Sequence, residues 1–89
     1  MRLDIFLKVS GLVKRRTLAN ELCDRGFVLV NGSKCKAGKV LKNGDIVEFR
    51  IGKHFYKLEI LSLPEKKVNR LGEESFRIIE SDVEEDNAP

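Results

Sequence analysis

After Gly26 the apolar rhythm of the chain changes from a repeat near four residues to a repeat of two, and this switch limits the possible folds most sharply. Before it, Leu3, Phe6 and Leu7 in "RLDIFLKV" follow the spacing i, i+3, i+4, and Leu18, Ala19, Leu22 and Cys23 form one apolar stripe. These patterns predict two short helices separated by a turn at Ser10-Gly11, the second from about Arg16 to Arg25. Gly26 falls where a left-handed helix cap needs a residue without a Cβ. Beyond it, "FVLVNGSKC" is an apolar, β-branched run closed by Asn31-Gly32, a pair that tolerates positive φ at both residues and so predicts a tight hairpin. "LKNGD" supplies a further turn at Asn43-Gly44-Asp45. Val47, Phe49 and Ile51 then alternate with Glu48 and Arg50, and Tyr56, Leu58 and Ile60 alternate with Lys57 and Glu59, predicting two antiparallel strands joined at "GKH".

Helices with one apolar stripe and a sheet with one apolar face bury each other. The expected architecture is therefore α+β, with two N-terminal helices packed on a small curved antiparallel sheet and a short C-terminal segment. We expect residues 1–63 to form this domain. Residues 64–80 carry no decisive period and read either as a loop with a short C-terminal helix or as an extended segment around Phe76 to Ile79. Residues 81–89 are rich in acids and poor in apolar side chains, and read as a disordered tail.

A chain of 89 residues supports one modest core, without room for a large catalytic cleft. Its charge is unevenly placed. Met1 to Arg70 holds 16 Lys and Arg against 7 Asp and Glu, whereas Leu71 to Pro89 holds 1 against 7, so a basic body precedes an acidic end. That asymmetry points to a polyanionic partner, above all nucleic acid. No apolar run approaches the ~20 residues that span a bilayer, and Met1 is followed at once by Arg2 and Asp4 and not by a secretory signal. A cytoplasmic protein without a membrane partner is expected. Cys23 and Cys35 lack CxxC spacing and have only His54 as a further soft ligand, so they read as a core residue and a hairpin residue, with His54 in a solvated loop. No nucleophile and base stand in a recognisable pattern, and neither a catalytic residue, a cofactor nor a metal is expected.

Lys14, Arg15 and Arg16 stand where the second helix begins. Cations there oppose the helix dipole, by roughly 0.3–1 kcal/mol each when exposed. A docked phosphate reverses that sign, since free amides and guanidinium forks converge on one anion. On this account Arg16 burdens the free fold, and its replacement by Ala should leave stability unchanged or improved. Lys34 and Lys36 follow the Asn31-Gly32 turn as a second basic ridge, and helix start and hairpin are expected to form one concave positive surface. Asp4 reads as a first-turn carboxylate suited to the dipole, with Arg2 pairing either with it or with the acidic tail.

The segments "RLDIFL", "KRRTLANEL", "RGFVLVNG" and "LKNGDIVEF" resemble the successive landmarks of the RNA-binding domain named after small-subunit ribosomal protein S-four, over roughly Met1 to Arg50. Because the chain starts on the motif and ends soon after it, it is most similar to the stand-alone bacterial RqcP (YabO) family. The heat-shock family of fifteen kilodaltons that binds stalled large subunits is a close second. The resemblance implies RNA contacts at Arg2 and Arg16; the basic residues Lys8, Lys14, Arg15, Lys34 and Lys36 extend the candidate set, and the turn residue Asn31 joins it as a secondary contact. It also implies a non-catalytic role in ribosome-associated quality control. The protein would hold P-site tRNA against large-subunit rRNA on obstructed subunits while an RqcH-type factor delivers alanyl-tRNA, and it would be a monomer off the ribosome. Many relatives of the broader domain place Ser or Thr before the position of Arg16; here Arg15 leaves that helix start less well capped.

A winged helix-turn-helix DNA regulator has a similar element plan. Its recognition helix needs base-edge readers, and the middle of the second helix offers mainly Asn20 and Glu21. Shape and phosphate readout of structured RNA fits better. With five Phe, one Tyr and no Trp, most in alternating core positions, aromatic stacking on bases is expected to be minor.

Overall fold

Leu3–Val9 forms α1 and Arg16–Asp24 forms α2 in the computed structural model, which describes residues 1–83. Gly26 ends α2 as its spacing predicted. At a φ of 78° its amide donates to the Cys23 carbonyl at 3.0 Å, and the Phe27 amide reaches back to the Leu22 carbonyl at 2.9 Å. These two bonds satisfy carbonyls that the last turn of a helix otherwise leaves open.

Five strands follow: β1 (Val28–Val30), β2 (Ser33–Lys34), β3 (Ile46–Ile51), β4 (His54–Ile60) and β5 (Phe76–Val83). They form one antiparallel sheet in the order β2-β1-β3-β4-β5. Asn31 and Gly32 both take positive φ, 52° and 85°, which pairs Val30 with Ser33 across the hairpin. The alternation read from the sequence defines the buried face. Val28, Val30, Val47, Phe49, Leu58 and Ile60 are buried against Leu3, Phe6, Leu7, Ala19, Leu22 and Cys23 of the helices. Ile51 and Tyr56 are half-buried toward the outer end of the β3–β4 hairpin, and Tyr56 stacks on Phe49 at 5.2 Å.

The alternative of a short C-terminal helix is corrected: Phe76–Val83 is a strand, and it pairs with β4 from Ile60↔Phe76 to His54↔Val83 around a bulge between Lys57 and Leu58. The reason is tertiary. Without β5, the outer edge of β4 would present a row of unpaired backbone groups, and "FRII" brings β-branched residues that suit a pleated surface. Phe76 fastens the strand by meeting Phe6 of α1 edge-on, with ring centroids 5.7 Å apart, and Arg77 donates to Glu59 at 2.8 Å. Ser81–Val83, expected in the acidic tail, are part of this strand; the remainder of that expected tail, 84–89, lies outside the described residues. Because Phe76 is half-buried, its replacement by Ala should cost about 2 kcal/mol, below the ~3–5 kcal/mol of a fully buried Phe, measured as a shift in urea midpoint.

Between β4 and β5 the chain crosses the helical layer. The Leu63 amide donates to Asn43 Oδ1 at 2.9 Å, and the Leu71 amide donates to the Val9 carbonyl at 2.8 Å, with the Leu71 side chain buried. Cys23 is buried and Cys35 half-buried, and both are free. Burial pushes the Cys23 thiol up to about 11, reinforced by Cys35, Asp4 and Asp24, and burial also raises Cys35 against the opposing pull of Lys39. Among the described residues no group of three or more His, Cys, Asp or Glu is placed to hold a metal ion, and no helix is long and apolar enough to cross a membrane.

Candidate nucleic-acid interface

The first turn of α1 is satisfied from within the chain. The Leu3 amide donates to the Lys39 carbonyl at 2.8 Å, and the Asp4 amide to the Ala37 carbonyl at 3.1 Å. The Ile5 amide donates to Asp4 Oδ1 at 2.8 Å. This arrangement draws the Asp4 carboxylate fully inside, with no exposed surface.

A buried carboxylate must be surrounded by donors, and four side-chain hydrogen bonds converge on this one. Arg2 donates from Nε to Oδ1 at 3.2 Å and from Nη2 to Oδ2 at 3.1 Å. Arg16 donates from Nε to Oδ2 at 2.9 Å, and Asn20 from Nδ2 to Oδ2 at 3.2 Å. Asn20 also donates to the Arg16 carbonyl one turn back at 2.9 Å, which ties α2 to the same point. Burial pushes the Asp4 carboxyl up, but the hydrogen bonds from Arg16, Asn20, Arg2 and the Ile5 amide outweigh it and hold the group below its ordinary value.

Asp4 keeps its place in the first turn of α1 and is in addition the buried hub between the two helices, and Arg2 resolves its two alternatives in favour of Asp4. The expectation that Arg16 burdens the free fold is likewise corrected, because its guanidinium supports a buried charge. Each arginine is about half exposed, 47% for Arg2 and 49% for Arg16. Arg16 uses only Nε on Asp4, leaving its two Nη groups available at the surface. Two forks from two helices are therefore held at a set spacing by one carboxylate.

The other candidates fall into separate places. Lys8 and Arg16 border a cleft of about 700 Å³ whose opposite wall is formed by residues 64–69. That wall carries Lys66 and Lys67, which the sequence reading did not single out. Their signal was a Lys pair in a stretch without period, and nothing local showed that the Leu71–Val9 hydrogen bond would hold the segment against α1. Lys14 and Arg15 lie with Thr17, Leu18 and Glu21 on another side of the α2 start, and Arg15 provides no side-chain cap, as the missing Ser or Thr implied. Lys34 and Lys36 do not join the arginine pair. They flank Asp24, Arg25 and Gly26 at the far end of α2. Asn31 serves the fold, its Oδ1 accepting from the Ile46 amide at 2.9 Å and its Nδ2 donating to Asp45 at 3.1 Å.

Comparison with known proteins bears on this surface. Residues 1–47 match the S4 domain. The RQC P-site tRNA stabilizing factor of Halalkalibacterium halodurans is 52% identical over 65 residues, covering 73% of this chain and 74% of that protein. The protein of the same name from Bacillus subtilis is 46% identical over 63 residues, covering 71% and 73%. The one from Streptococcus pneumoniae is 40% identical over 86 residues, covering 96% and 98%. Among solved structures, the trimeric heat shock protein 15 of Vibrio cholerae superposes with a TM-score of 0.75 at 24% identity, over 88% of this chain and 80% of that one, a likeness of fold. The solution structure of the hypothetical protein HP1423 superposes with a TM-score of 0.72 at 35% identity, over 88% and 95%.

Proposed function

The chain belongs to the S4 domain family, and from that premise we propose that it is a non-catalytic RNA-binding protein of ribosome-associated quality control, stabilising P-site tRNA on obstructed large subunits. The observation that carries the reading is the Arg2–Asp4–Arg16 arrangement, which presents two oriented guanidiniums from the ends of two helices on one surface. Planar forks of this kind match phosphate oxygens in pairs, and their fixed spacing suits the regular backbone of folded RNA better than base-edge readout does. Lys8 on the cleft that Arg16 borders, Lys14 and Arg15 on another side of the α2 start, and Lys34 and Lys36 at its far end supply separate cationic contacts around the arginine pair. Asn31 contributes by shaping the hairpin. On this reading large-subunit rRNA and P-site tRNA are the ligands, an RqcH-type factor adds alanine to the nascent chain, and the protein works as a monomer in the cytoplasm.

The test is sedimentation of the protein with purified large subunits, either vacant or carrying peptidyl-tRNA in the P site. Retention should be stronger on the tRNA-bearing subunits and should weaken steeply as salt rises, because phosphate contacts release counterions. Equal sedimentation with vacant subunits would remove the tRNA from the reading. Failure to sediment with either, with duplex DNA retained instead, would favour the DNA-binding alternative.

A further inference from the structure

The cleft between α1 and residues 64–69 has no assigned role, and its composition is mixed in an informative way. Ile5 and Val68 give it an apolar wall, while Lys8, Arg16, Lys66 and Lys67 supply four cations against the single carboxylate of Glu65. Lys66 and Lys67 are exposed, and neither they nor Lys8 form an ion pair among the described residues. The cleft is preformed, since the segment opposite α1 is fastened before it at Leu63 to Asn43 and after it at Leu71 to Val9.

We propose that this cleft receives one unpaired nucleotide of the bound RNA, with its base against Ile5 and Val68 and the flanking phosphates on Lys66, Lys67, Lys8 and Arg16. The excess of cations selects a polyanion. The volume of about 700 Å³ falls within the ~300–1,000 Å³ of sites that take a single small-molecule-sized group. A paired helix cannot enter such a space, whereas a base splayed from a bulge or loop can. None of the lining residues is aromatic, so the base is held by aliphatic contact and by its phosphates, without ring stacking. Arg16 belongs to this cleft and to the Asp4 hub alike, so the unpaired nucleotide lies next to the backbone gripped by the arginine pair.

The inference rests on the RNA-binding reading above, and the experiment separates the two. The full chain is titrated at constant salt with a stem-loop RNA carrying a single bulged 2-aminopurine, and with the same stem in which that base is paired. The wild type should bind the bulged RNA about tenfold more tightly, a difference of about 1.4 kcal/mol, and 2-aminopurine fluorescence should rise as the base leaves its neighbours. Lys66→Ala with Lys67→Ala alters exposed side chains only, which a melting curve checks. This double variant should abolish the preference and, in titrations repeated across salt concentrations, make the salt slope shallower by about 0.7 for each phosphate of the unpaired strand that is no longer neutralised. Equal affinity of the wild type for the two RNAs, or a preference that survives in the double variant, overturns the cleft proposal and leaves RNA binding standing. Failure of the wild type to bind either RNA overturns the RNA-binding reading and the cleft proposal with it.

Discussion

Arg16→Ala should reduce large-subunit association by tenfold or more, about 1.4 kcal/mol at least, while also lowering the stability of the free protein. The two losses share one cause. The guanidinium that faces outward to phosphate is held by its Nε on the buried Asp4 carboxylate at 2.9 Å. Hydrogen bonds to charged groups contribute about 1.5–3 kcal/mol. Here the loss should lie near about 1–2 kcal/mol, because Arg16 is half exposed and Asp4 keeps Arg2, Asn20 and the Ile5 amide. Arg16→Lys retains a charge without the fork and should fall between wild type and Ala in both respects. Arg2→Ala should resemble Arg16→Ala. Sedimentation with large subunits reads the first quantity and urea denaturation the second. Wild-type association of Arg16→Ala at physiological salt would show that the arginine pair does not hold the RNA.

Asp4→Asn should produce the larger stability loss, and it separates two accounts of the surface. Removing a negative charge beneath a phosphate-binding patch raises the net charge by one, and simple attraction would then tighten RNA binding. If Asp4 instead sets the spacing of Arg2 and Arg16, binding should weaken although the protein has become more basic. We expect the second result, with a stability loss of about 2–3 kcal/mol. That lies below the ~3–5 kcal/mol of a broken fully buried pair, since both guanidiniums can turn to water. In a small domain with about 5–15 kcal/mol in total, such a loss is readily measured. The pH dependence follows from the lowered carboxyl. Its stabilising contribution is complete above the ordinary value of 3.8 and is lost as pH falls through the lower folded-state value. Asp4→Asn should flatten that acid limb of the stability curve. An unchanged acid limb would show that this carboxylate does not govern acid unfolding.

The amino-acid sequence contained whatever depended on neighbours in the chain. The change of period after Gly26, the Gly26 cap and the Asn31-Gly32 turn predicted two helices, a hairpin and a one-faced sheet, because side-chain direction and allowed φ act over a few residues. The basic body pointed to nucleic acid for a similar reason, since charge adds up without regard to the fold. Three features depended on residues far apart. β5 became a strand because β4 had an edge to offer it and Phe6 a ring to meet Phe76, although "FRIIESD" alone is compatible with helix or strand. Asp4 became a hub through Arg16 and Asn20, 12 and 16 positions away, so neither its burial nor the support it gives Arg16 could be read from the first turn of α1. Lys66 and Lys67 came to face α1 through the path of the chain across the helical layer, and Lys34 and Lys36 came to flank the C-terminal end of α2. A carboxylate's partners and a strand's neighbour are set by packing between distant segments, and local periodicity carries no record of them.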